Sequence, residues 1–225
     1  MKKLLLSLTL CGNIFALQLP NTVYKNAKIT PESGYDTFKI MSEAKSLFND
    51  GKVKDASGFF IKALTKSSQS KADKNIDQYD YLYAHYGLLK LLETNKNDEE
   101  EYKKLAKKII SFLDKSTDNG KDIWEDGELG KFQLNMYKTV TDHYAKLLYK
   151  ESKREDSKLL KEALLYAKKA EKYIRSDEDF YIKETREWIQ NAIDGNPPLK
   201  SEKKTIEIIK ELKTKKDSNE SKKAL

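Results

Sequence analysis

Apolar residues recur at helical spacing in successive blocks along most of this chain, and short polar runs separate the blocks at Lys66 to Ser70, Thr94 to Asp98 and Lys115 to Lys121. No stretch of comparable length alternates with a period of two between turn residues, so the pattern predicts an all-α fold. Helices are expected near 36–49, 53–66, 75–93, 98–114, 130–151, 157–175 and 178–193. The third of these is apolar almost all round, with Ile76, Tyr79, Leu82, Tyr83, Tyr86, Leu88, Leu89, Leu91 and Leu92, the profile of a helix packed on several sides. The prolines agree with this layout: Pro20, Pro31, Pro197 and Pro198 all lie outside 35–195, leaving that stretch free of the residue that most disrupts a helix interior.

The two ends differ from the middle. Lys2 and Lys3, the apolar run Leu4 to Leu10 and the exit Ile14-Phe15-Ala16 have the layout of a secretory signal peptide over residues 1–16. Its apolar run is shorter than the roughly 20 residues a membrane-spanning helix needs, and no later segment is closer. The expected mature chain is therefore soluble and periplasmic, with secretion as the alternative. Lipidation at Cys11 is not expected, because Leu10 stands where a small residue would be required. Residues 17–34 read as an extended segment leading into the helices. At the far end Asn196-Pro197-Pro198 stops the helical body as a hinge, and residues 199–225 read as a short amphipathic helix around Ile206, Ile208, Ile209 and Leu212 followed by a lysine-rich disordered end.

The first helical pair carries Ile40, Ala44, Leu47 and Phe48, then Gly51, then Val53, Ala56, Phe60, Ala63 and Leu64. With a unit starting at Thr37, Ala44 falls on the small position of the first helix, Gly51 on the turn, Ala56 and Ala63 on the small positions of the second helix and Phe60 on its large aromatic one. This spacing resembles the tetratricopeptide repeat, a helix-turn-helix unit of about 34 residues. Glu43, where an apolar residue is usual, and Ser68, where proline is frequent, depart from the pattern. Two further pairs resemble the unit less closely: Tyr83, Gly87 and Leu91 with Ala106, Ile110 and Leu113, and Tyr144, Ala145 and Leu148 with Ala163, Ala167 and Ala170. The resemblance implies a short α-solenoid over 35–195, closed by a capping helix with Phe180, Tyr181, Trp188, Ile189 and Ile193. It also implies a partner-binding face on the first helix, made by Phe38, Met41, Lys45, Phe48 and Asn49, with Lys45 and Asn49 one turn apart to hold a partner carboxylate or carbonyl.

Composition narrows the chemistry. Cys11 is the one cysteine, so a chain cleaved after Ala16 has no disulfide, thiolate metal site or cysteine nucleophile. The formal charge of +7 becomes a balance of 41 basic to 36 acidic residues without Lys2 and Lys3, too even for a nucleic-acid stripe. His85 and His143 are each isolated in a helix, with no nucleophile, metalloprotease or phosphate-loop motif beside them, and neither catalysis nor a cofactor is expected. Glu99-Glu100-Glu101 begins a helix, where acids favour the dipole. One loop has metal-binding spacing: Asp114, Ser116, Asp118, Asp122 and Glu125 occupy positions 1, 3, 5, 9 and 12 of an EF-hand calcium window, although Asn119 stands where glycine is usual and Lys121 at an apolar position. Thirteen tyrosines, including Tyr79, Tyr83 and Tyr86 at helical spacing, read as packing between helices with hydroxyls reaching water. The leading expectation is a non-enzymatic module that docks an envelope, secretion or motility protein. The alternatives are a calcium-responsive structural protein and a chain tethered to an anionic surface by its lysine-rich tail.

Overall fold

The computed structural model describes residues 21–28, 36–69, 78–93, 98–117, 127–174 and 179–204. Among the described residues there are eight bounded α-helices and no strand: α1 Asn21–Asn26, α2 Thr37–Asn49, α3 Val53–Gln69, α4 Gln78–Glu93, α5 Glu99–Thr117, α6 Gly127–Ser152, α7 Ser157–Glu171 and α8 Phe180–Ile193. The fold is all-α, with neighbouring helices packed in pairs. No helix of the described residues is long and apolar enough to cross a membrane. The chain divides into two compact units, Met1–Met136 and Tyr137–Leu225, and the boundary falls inside α6.

Local chemistry sets the helix ends of the first unit. Asp36 caps α2, its carboxylate accepting from the Lys39 amide at 2.8 Å. The helix ends where Gly51 takes φ +76°, a left-handed conformation that glycine enters without the clash other residues meet. There the amides of Gly51 and Lys52 donate to the carbonyls of Phe48 and Leu47 at 3.0 and 2.9 Å, and α3 begins within two residues. Ile40, Met41 and Ala44 of α2 meet Ala56, Phe60 and Ala63 of α3 in a buried seam.

The central element is α4, which packs against α1, α2, α3 and α5. That is why its apolar residues go all round: Leu82, Ala84, Leu88, Leu89, Leu91 and Leu92 are each almost wholly buried. At its tightest point α4 carries Gly87, where an added Cβ would lie 2.2 Å from Cε2 of Phe60 on α3. The ring of Phe60 occupies the space of a missing side chain. On the far side α5 offers the stripe Tyr102, Leu105, Ala106, Ile109, Ile110 and Leu113, while outside it Lys103 pairs with Glu100 at 2.6 Å and Lys104 with Glu101 at 3.2 Å.

The N-terminal segment differs from its sequence reading. Residues 17–34 read as extended, yet Asn21–Asn26 is helical. The short helix is held by long-range contacts invisible in its six residues: Val23 is fully buried, Asn26 donates to Asp98 at 2.7 Å, and the Lys28 ammonium reaches Asp55 at 2.9 Å.

In the second unit Asp156 caps α7 by accepting from the amides of Lys158 and Leu159. Ala163, Ala167 and Ala170 then form a small-residue stripe, and α7 packs closely on α8, whose buried face is Ile182, Thr185, Trp188, Ile189 and Ala192. Tyr144 and Tyr137 of α6 contact Tyr166 and Tyr173 edge-on, at 4.7 and 5.4 Å between ring centroids. Lys138 of α6 and Asp179, beside the start of α8, make a buried ion pair at 2.5 Å. After the two prolines the chain is helical at 200–204 and is fastened to the second unit by side-chain hydrogen bonds. Ile206, Ile208, Ile209 and Leu212, with the rest of the lysine-rich tail, lie outside the described residues.

Gly87→Ala is expected to lower stability by about 1–3 kcal/mol in urea denaturation, because the new methyl overlaps the Phe60 ring. Gly87→Ala combined with Phe60→Leu should cost less than the sum of the two single changes, since the smaller side chain vacates the contested space.

Candidate functional site

The five α2 positions taken as a partner-binding face separate into two groups. Phe38 is 73% exposed and stands out from the first unit, whereas Met41 is 1% exposed and belongs to the core. The helix turns Met41 toward α3 and α4, so no partner can reach it. Lys45, Phe48 and Asn49 converge instead on α4. The ammonium of Lys45 pairs with Asp80 and lies 4.8 Å from the ring centroid of Tyr79 and 5.6 Å from that of Tyr83. Phe48 meets Tyr83, Phe60 and Tyr86 edge-on at 5.6, 6.0 and 6.2 Å. The Asn49 side-chain carbonyl accepts from the Tyr83 hydroxyl at 2.8 Å. Lys45 and Asn49, expected to hold a partner carboxylate or carbonyl, have partners within the chain: the Asp80 carboxylate for Lys45 and the Tyr83 hydroxyl for Asn49.

A residue that the sequence did not single out completes the group. Phe132, near the start of α6, stacks on Tyr83 at 5.2 Å with 14° between ring planes and contacts Tyr79 at 4.8 Å and Tyr86 at 6.2 Å. Only the 79, 83, 86 spacing pointed here, because it puts the three tyrosines on one face of α4. Phe48, Tyr79, Tyr86 and Phe132 are each partly exposed, and Tyr83 is buried beneath them. Three helices, α2, α4 and α6, therefore contribute to one aromatic band of the first unit. Aromatic pairs of this kind each contribute about 0.5–1.5 kcal/mol beyond their buried area.

The band's charges are matched. Lys90 lies 5.4 Å from the Tyr86 centroid and pairs with Glu93 at 2.7 Å. Burial works against its charge, but the Glu93 hydrogen bond and the neighbouring Tyr86 outweigh that and hold the ammonium above the usual lysine range. Burial pushes the phenols of Tyr83 and Tyr86 up, and for Tyr83 the adjacent Tyr79 and Tyr86 add to it. The phenols are neutral hydrogen-bonding groups at physiological pH and not nucleophiles. What the band can do is bind, through ring faces, hydroxyls and the exposed Asn49 amide.

The second unit holds a polar centre at the turn between α6 and α7. Lys153 and Arg154 adopt φ +49° and +68°, a left-handed pair without glycine that costs on the order of 1–3 kcal/mol each. The Ser152 hydroxyl supports the turn by accepting from the Arg154 amide at 3.1 Å. Arg154 then reaches both Glu202 oxygens, at 2.9 and 2.8 Å, and donates to the Asn196 carbonyl at 2.5 Å. The Tyr149 hydroxyl donates to Glu202 at 2.7 Å and also meets Arg154. Burial, followed by the hydrogen bond to the Glu202 carboxylate, pushes the Tyr149 phenol far above the ordinary tyrosine range.

The calcium window is described only at its start. Asp114 lies within α5, which runs on through Ser116 to Thr117; Asp118, Asp122, Glu125 and the Ser116 side chain lie outside the described residues. Among the described residues no group of three His, Cys, Asp or Glu side chains is placed to hold a metal ion. His85 is buried, its Nδ1 2.7 Å from the Tyr81 carbonyl and its ring 4.3 Å from the Tyr81 ring. A cleft of about 370 Å³ between α1, the α2–α3 turn and Leu91 is separate from the band. No protein-family model, curated protein or solved structure matches the chain.

The raised phenols give a pH dependence of definite sign. Folding holds the protons of Tyr83, Tyr86 and Tyr149 more tightly than the unfolded chain does. Their contribution is complete below the ordinary tyrosine value of about 10 and is lost as pH rises above it, because the unfolded state releases its protons first. Urea midpoints are expected to fall from about pH 10 upward, and less steeply in Tyr149→Phe.

Proposed function

We propose that this chain is an exported, non-enzymatic interaction module: a short α-solenoid of tetratricopeptide-like helix pairs, capped by α8, that docks a partner protein of the cell envelope through its first unit. The observation that carries the reading is the aromatic band of Phe48, Tyr79, Tyr86 and Phe132 on three helices. Partly exposed aromatic groups with fixed polar neighbours suit protein recognition, since they bring large contact area at small entropic cost. Phe38, exposed on the same helix as Phe48, extends the apolar surface available on α2. The periplasm is the compartment that the signal-like residues 1–16 support, and a secretion, motility or envelope-assembly component is the class of partner.

Two measurements test this. Mass spectrometry of the protein from the periplasmic fraction should find a mature chain beginning at Leu17; recovery of residues 1–16 on the soluble protein would contradict the export reading. In crosslinking pull-downs from the native cells, one envelope protein should be recovered with the wild type. Phe38→Ala with Phe132→Ala should reduce that recovery about tenfold or more, equivalent to about 1.4 kcal/mol. Phe38→Ala alone should leave the melting temperature within about 2 °C of wild type, because the ring is exposed. Recovery that is indifferent to both changes would remove the band from the account.

A further inference from the structure

We propose that residues 196–204 form a strap that opens and closes on the second unit independently of α6, α7 and α8, with Arg154 and Glu202 as its lock. The strap is held by polar contacts. Besides the Arg154 bonds to Glu202 and to the Asn196 carbonyl, Asn191 donates to the Pro197 carbonyl at 2.7 Å, and the Trp188 indole N–H donates to the Ser201 hydroxyl at 2.9 Å. Of its apolar residues Pro197 is exposed, and Pro198 and Leu199 are partly but not fully buried. Glu202 is the one residue of the strap that is buried, at 3% exposure.

A carboxylate leaves water only where a matched cation and donors replace its hydration, and here Arg154 and Tyr149 do so. Take Arg154 away and the buried charge keeps only the Tyr149 hydroxyl, with no cation to balance it. The carboxylate must then return to water, and Ser201, Lys203 and Lys204 move with it on the same helical turn. Segments with little buried apolar surface open at a small fraction of the global unfolding cost. The ends of the strap suit such a motion: Gly195 at φ +73° and Pro197-Pro198 form a boundary with α8 that no helix can propagate across. At the other end, the turn that aims Arg154 is held by its own hydrogen bonds to Ser152, so the lock stays in place when the strap is away.

Opening uncovers the indole edge of Trp188, 9% exposed when the strap is closed, and releases the Arg154 guanidinium together with the Tyr149 phenol.

Tryptophan is the natural reporter, because the chain has only Trp124 and Trp188 and Trp124→Phe leaves one. In that background, Arg154→Ala and Glu202→Gln should each raise acrylamide quenching of Trp188 about threefold and shift its emission to the red, with the far-ultraviolet helical signal unchanged. Hydrogen exchange on the unaltered chain supplies the second measurement: amides 200–204 should exchange at least about tenfold faster than those of α8. Unchanged quenching in both variants would show that Arg154 and Glu202 are not the lock. Loss of the helical signal together with the strap, or equal exchange in the strap and α8, would show that the strap is part of the unit's cooperative fold, and either result overturns the proposal.

Discussion

The close approach of Gly87 to Phe60 is the constraint on which the first unit rests. A missing side chain on α4 lets a ring from α3 lie against the helix backbone, which brings the α2–α3 pair close enough for Phe48 to reach Tyr83 and Tyr86. Move α4 outward by the width of a methyl group and these edge-on contacts lengthen beyond useful range, as does the Tyr83 hydroxyl bond to Asn49. Dispersion and quadrupole interactions fall steeply with distance, so one packing decision in the core governs the arrangement at the surface. The aromatic band is in this sense a consequence of the core.

Charge is handled differently in the two units. In the first, cations lie over aromatic rings and are paired with acids, Lys45 with the buried Asp80 and Lys90 with Glu93, which leaves the band nearly neutral. A neutral aromatic surface favours partners by shape and by the hydrogen bonds of its phenols more than by long-range attraction. In the second unit the charges go inside: Lys138 with Asp179, and Arg154 with Glu202, are pairs whose desolvation is offset only while both members are present. Pairs of that kind specify an arrangement more than they stabilise it, and the second of them fastens residues 196–204, whose one buried residue is Glu202.

Much of this architecture was legible in the residues. The all-α class and the main helices followed from spacing. The turn at Gly51 followed from a glycine between two amphipathic runs, and the central place of α4 from its lack of a polar face. What was not legible depended on contacts between distant residues. Val23 gives no local sign that six residues around it will be helical, and the arginine that holds Glu202 lies 48 residues away from it. On α2 the repeat spacing placed Met41 with the exposed Phe38, but Met41 is buried beside Ile40 and Ala44. Phe132 carried no signal, because a single aromatic at the start of a long helix looks the same whether it faces a core, a partner or water.

The central claim is that the band on α2, α4 and α6 is where another protein is held. It is tested most directly by placing a photoreactive phenylalanine analogue at Tyr79, at Phe132 and, as a control, at the exposed Lys161 of α7, then irradiating intact cells. The account predicts one and the same crosslinked envelope protein from positions 79 and 132, and none from 161. Adducts from 161 matching those from the band, or no adduct from either band position, would contradict it.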